Sequence, residues 1–212
     1  VRNKWDRSQP GAWWRTFGDE ARKLCTGDWC VKVDCDEFIP EWEFDRLRTL
    51  LATADRSVLP MRFMNFYANY RVHNIKTLPH WKVTIHRNVP DAEVVGDGSN
   101  VVLKSEEWGE IPEDAIVCHH FGAVRHASRL RQKWRNQGLM KRQTPAFDWV
   151  PSFIYDLMPH SWFDKDFIDD LRIYDGPYVQ AVRDDPAEFT RDGMKTYEFL
   201  KKRAAGSAVD QK

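Results

Sequence analysis

The chain has 212 residues, and its 32 Lys and Arg are matched by 32 Asp and Glu, so the formal charge is zero at pH 7. That length supports one sizeable hydrophobic core, and the balance removes any global electrostatic case for nucleic acid or a membrane surface. No run of about 18 apolar residues occurs, so no membrane-spanning helix is expected, and Cys25, Cys30, Cys35 and Cys118 contain no C-x-x-C pair that would suggest zinc.

Trp13, Phe17, Ala21 and Leu24 recur at helical spacing, and Gly27 follows as a stop. A strand is expected over Trp29–Asp34. Pro40 then opens a second helical pattern with Phe44, Leu47, Leu50, Leu51 and Ala54 on one face. Val58–Tyr67 reads as a strand bent near Pro60, and residues 68–80 read as a loop. Trp81, Val83 and Ile85 alternate with Lys82, Thr84 and His86, the pattern of a half-buried strand. Residues 88–114, with Gly96, Asp97 and Gly98, suggest short strands and turns. Ala115–Phe121 is another strand, and Ala127–Gln137 is a basic helical pattern. After Pro145 the chain turns acidic and aromatic and reads as a wrap or lid, ending in a frayed tail. Strand, helix, strand, a run of strands and a late helix point to an α/β layered domain.

The chemistry concentrates in Gly27–Phe38, GDWCVKVDCDEF. In an extended strand residues two apart share a side, so Asp34 and Asp36 are expected to project together from the strand end. Paired carboxylates are comfortable when protonated, well solvated or holding a cation. A hard ion such as Mg²⁺ or Mn²⁺, completed by phosphate, fits; the plain alternative is an acidic turn in water. The strand AIVCHHF supplies His119 and His120, which point to opposite faces, so one is a metal-ligand candidate. From Arg125 to Arg142 lie seven basic residues and no acid. That is either an anion-binding segment, with Arg125 and Lys133 as diphosphate contacts, or a solvated helix face paired with the later acidic stretch.

Gly27-Asp28-Trp29, Asp34-Cys35-Asp36-Glu37-Phe38 and, about 80 residues on, His120-Phe121-Gly122-Ala123-Val124-Arg125 with Lys133 downstream together resemble the family 2-like glycosyltransferases of the GT-A fold. The resemblance spans roughly residues 15–137. It implies a GT-A-like (Rossmann-like) mixed sheet flanked by helices: a partial catalytic domain over 1–145 and a C-terminal extension over 146–212 packed on it. It implies transfer of a sugar from a nucleotide-sugar donor to a glycan or lipid-linked acceptor, as in surface polysaccharide assembly. By the same resemblance Asp34 contacts the ribose or donor sugar and is also a metal candidate. Asp36 holds Mn²⁺ or Mg²⁺ on the donor diphosphate, and His120 is a further metal ligand or touches the diphosphate. A carboxylate deprotonates the acceptor in an inverting reaction; Asp97 and Glu93 stand in a suitable region, as do Glu106 and Glu107, and the base stays unassigned. The family's early nucleotide-binding strands have no counterpart ahead of Trp29, so the expectation is either an N-terminally truncated domain with an open sheet edge or a donor bound in a reduced way.

Two other classes remain open. A metal-dependent phosphohydrolase or nucleotidyltransferase also clusters aspartates around a cation. A non-catalytic carbohydrate-binding module would use some of the ten tryptophans as stacking platforms. The expected setting is cytoplasmic, with peripheral membrane contact through residues 125–142 and no nucleic-acid partner.

Overall fold

The computed structural model describes residues 12–67, 69–74, 81–95, 100–104, 115–124, 170–183, 195 and 197–202. In chain order the elements are α1 (Ala12–Lys23), β1 (Trp29–Val31), β2 (Glu37–Phe38), a 3-10 turn (Glu41–Glu43), α2 (Phe44–Thr53), β3 (Val58–Tyr67), β4 (Val72–Asn74), β5 (Trp81–Arg87), β6 (Ala92–Val95), β7 (Asn100–Leu103), β8 (Ile116–Ala123), β9 (Leu171–Ile173) and α3 (Gln180–Arg183). The chain is mixed α/β. Every pairing whose register is defined is antiparallel. The expected basic helix 127–137 and most of the 146–212 extension lie outside the described residues.

The structure divides into two compact units that interleave along the chain: residues 1–35, 42–63 and 81–118 form the first, and residues 36–41, 64–80 and 119–212 the second. Strands β3 and β8 each contribute residues to both.

In the first unit β5 lies between β1 and the leading part of β3. The β3 register slips between Leu59 and Pro60, as expected where proline lacks the N–H a ladder needs. β6 and β7 form a hairpin, and their inward residues Ala92, Val94, Val101 and Leu103 join Val58 and Val83 in an aliphatic core. β5 departs from the expected half-buried pattern: Lys82, Thr84 and His86 are buried as fully as Val83 and Ile85. Lys82 manages this by laying its ammonium 4.5 Å from the Phe63 ring centroid.

Helix α1 forms where its spacing places it, with Phe17 half-buried and Ala21 exposed. Leu24 is 82% exposed. Contact runs instead through Gly18, where an added Cβ would sit 2.9 Å from Val94 Cγ1. Beside it, Asp19 Oδ1 accepts the Val94 N–H at 3.2 Å and Arg22 donates to the Val89 carbonyl at 3.3 Å. The apolar stripe of α2 likewise contains no fully buried residue. The Trp29–Asp34 strand is shorter than expected, ending at Val31.

In the second unit the trailing part of β3 pairs with β4, and β4 with β9. β4 sits inside the stretch expected to be loop. Asn69 makes it possible: its side-chain oxygen accepts the Arg71 N–H at 2.8 Å, an Asx turn that reverses the chain after β3. β8 pairs with both β2 and β3. Among the described residues no helix is long and apolar enough to cross a membrane.

Candidate functional site

Residues facing each other across an antiparallel pair project to the same side of a sheet, and the next pair projects to the other. In the second unit this rule sorts the chemistry. Glu37 faces His120 and Asn65 faces Asn74, and His120 Nδ1 lies 2.7 Å from Asn65 Oδ1. These four form one polar face. Phe38 faces His119 and Phe66 faces His73; with Phe121 and Tyr174 they form an aromatic face. On it the Phe66 ring centroid lies 4.8 Å from Phe121, 5.2 Å from His119 and 5.1 Å from Tyr174.

The two adjacent histidines therefore have different fates. His119 is 2% exposed, enclosed by rings. Burial is the main cause that pushes its pKa down to about 4; Glu41 opposes the shift and His73 adds to it. It is a neutral core residue. His120 is partly open, at 28% side-chain exposure, and its Nε2 lies 3.8 Å from Asp36 Oδ1.

Asp36 is held in place by its own backbone. It sits in the turn entering β2, and its carbonyl accepts the Phe121 N–H at 2.8 Å. The turn at Cys35–Asp36 removes the extended geometry on which a shared direction for Asp34 and Asp36 rested. Asp34 is 51% exposed and pairs with Lys32 Nζ at 3.0 Å. An exposed pair of that kind contributes at most about 1 kcal/mol.

The Asp36–His120 separation fits a shared cation. It is too long for a hydrogen bond. Ligand bonds of about 2.1 Å place neighbouring ligands of an octahedral ion about 3 Å apart and opposite ones about 4.2 Å apart, so the 3.8 Å separation would have to close slightly around an ion. Among the described residues no group of three or more His, Cys, Asp or Glu side chains could hold a metal ion. A cation at Asp36 and His120 would therefore need water or phosphate oxygens in its other positions.

Of the remaining expected site residues, Glu93 is exposed on β6. Asp97, Glu106, Glu107, Arg125 and Lys133 lie outside the described residues. Two polar groups were not singled out by the sequence reading. Glu37, 4% exposed, was noted as part of the motif but not as the neighbour of His120 across the β2–β8 ladder. Asn65, 7% exposed, is a buried amide inside the apolar run MRFMNFY. Its signal was available: an amide at a strand position that should be apolar needs a polar partner.

Compared with known proteins, the chain matches no family model, no curated protein and no solved structure.

Proposed function

We propose that the protein is a metal-dependent glycosyltransferase of GT-A type, moving a sugar from a nucleotide-sugar donor to a glycan or lipid-linked acceptor. The observation that carries this reading is the 3.8 Å approach of His120 Nε2 to Asp36 Oδ1. It joins the two sequence motifs, far apart in the chain, whose order resembles that family.

In this reading Asp36 and His120 hold Mn²⁺ or Mg²⁺. The bound cation supplies positive charge against the donor diphosphate, where negative charge grows as the sugar departs. Asp34, half-exposed and paired with Lys32, contacts the ribose or donor sugar or joins the metal shell in this reading. Arg125 and Lys133 add charge to the diphosphate from the segment that follows β8. The basic 125–142 stretch offers a peripheral contact with anionic lipid, consistent with a lipid-linked acceptor on a cytoplasmic face. The acceptor's base is a carboxylate not yet assigned; Asp97 and Glu93 remain its candidates.

The test is binding of a nucleoside diphosphate by calorimetry with and without Mn²⁺. Binding that requires Mn²⁺ and falls at least about 100-fold in Asp36→Ala supports the proposal. Sugar binding indifferent to metal and to Asp36 points to a carbohydrate-binding module. Release of inorganic phosphate without an acceptor points to a phosphohydrolase.

A further inference from the structure

We infer that Asn65 is the positioning residue of the candidate metal centre: its side-chain oxygen fixes the tautomer of His120 and turns the other ring nitrogen towards Asp36. This rests on the metal-holding reading above and deepens it.

A neutral imidazole carries one N–H and one lone pair, and the hydrogen bond made by one nitrogen decides what the other can do. At His120 the two nitrogens face chemically different partners. Nδ1 lies 2.7 Å from Asn65 Oδ1, a short contact with an acceptor. In the neutral ring Nδ1 is therefore the donor and the lone pair falls on Nε2, which lies 3.8 Å from Asp36 Oδ1. With the opposite tautomer two lone pairs would meet at Nδ1 and the ligand nitrogen would be blocked by its proton.

Asn65 suits the task because it cannot wander. It is 7% exposed on β3, and its opposite number in the ladder, Asn74, is 4% exposed. The β3 and β4 backbones hold both amides on the polar face that His120 shares with Glu37. An amide oxygen accepts a hydrogen bond from the ring and donates none, so it orients the ring with Nδ1 towards β3 and Nε2 towards Asp36.

The test reads the tautomer directly. Long-range ¹H–¹⁵N correlation spectra of the metal-free protein, with His120 signals identified by their loss in His120→Gln, should show protonated Nδ1 and bare Nε2. Asn65→Leu, close in volume but without an acceptor, should shift the population towards the Nε2–H form common in water, and Asn65→Asp should restore Nδ1–H. Mn²⁺ affinity should fall about 10- to 100-fold in Asn65→Leu and recover in Asn65→Asp. Finding Nε2–H in the unaltered protein, a measurement that needs no variant to fold, overturns the inference. So does an unchanged tautomer in folded Asn65→Leu. If the tautomers behave as stated but no variant, nor the parent, binds Mn²⁺, the role of Asn65 stands and the metal-centre reading falls.

Discussion

The two units bury different materials. The first encloses aliphatic side chains, Val58, Val83, Ala92, Val94, Val101 and Leu103, contributed by β3, β5 and a hairpin. The second encloses Phe66, Phe121, Val179 and Val182, with Phe38, Tyr70, Tyr174 and Tyr178 packed against them. On the opposite side of its strands it keeps Glu37, Asn65 and Asn74 out of water. An aliphatic core contributes stability through area alone and is indifferent to direction. A sheet with one aromatic and one polar face is directional: every residue's side is fixed by register, and a slip by one residue would exchange His119 for His120. The first unit has an aliphatic core, and the second adds a buried polar face behind its aromatic one.

The largest effect expected from this contrast is at Phe66, which is 1% exposed at the centre of the aromatic face. Phe66→Ala should cost about 3–5 kcal/mol by thermal or denaturant unfolding. Val101→Ala, in the aliphatic core, should cost clearly less, since it removes a smaller group. Equal losses would show that the aromatic face is no more critical than the aliphatic one.

Next in size is the acid response of His119. Its pKa is lowered on folding, to about 4 from an ordinary value of 6.5, so the unfolded chain takes up the proton first as pH falls. The stability it contributes is complete above pH 6.5 and is lost as pH drops from there towards 4, by about 2–3 kcal/mol. His119→Phe should remove most of that slope. His86 in the first unit and His73 in the second, both also pushed down by burial, leave a remainder of the same sign. A slope unchanged in His119→Phe would mean that His119 is not held neutral by its rings.

The smallest effect sharpens the account of the first unit. Gly18→Ala improves helix propensity by about 1 kcal/mol, yet its methyl would lie 2.9 and 3.0 Å from the Val94 methyls. Overpacking of that kind costs about 1–3 kcal/mol, so a net loss near 1 kcal/mol is expected. Gly18→Ala with Val94→Ala should recover part of it. A stabilised single variant would show that α1 does not press on β6 at this point.

Much of this was legible in the sequence, for reasons visible residue by residue. β3 and its irregularity were readable because Pro60 interrupts an otherwise continuous apolar run; for residues 88–114 only short strands and turns were readable, not the pairing of β6 with β7. The meeting of Asp36 with His120 was anticipated from two motifs in order. The packing face of α1 was not, because it centres on a glycine, and a missing side chain leaves no mark in a hydrophobic pattern. β4 was hidden by its length, three residues after an Asx turn. Lys82, Thr84 and His86 read as outward-facing because polarity alone cannot reveal that both faces of β5 are covered. The expected alignment of Asp34 with Asp36 assumed extended backbone, and the turn at Cys35–Asp36 gives Asp36 to the ladder's end while Asp34 faces Lys32. Asn65 was overlooked because an amide in an apolar strand looks like a blemish until its partner is found.

The central claim is that Asp36 and His120 hold a divalent cation that carries a diphosphate, and calorimetric titration of a nucleoside diphosphate with and without Mn²⁺ tests it most directly. The account predicts saturable, Mn²⁺-dependent binding that is lost in Asp36→Ala and in His120→Ala while both variants stay folded. Binding of equal strength without Mn²⁺, or in folded Asp36→Ala, would contradict it.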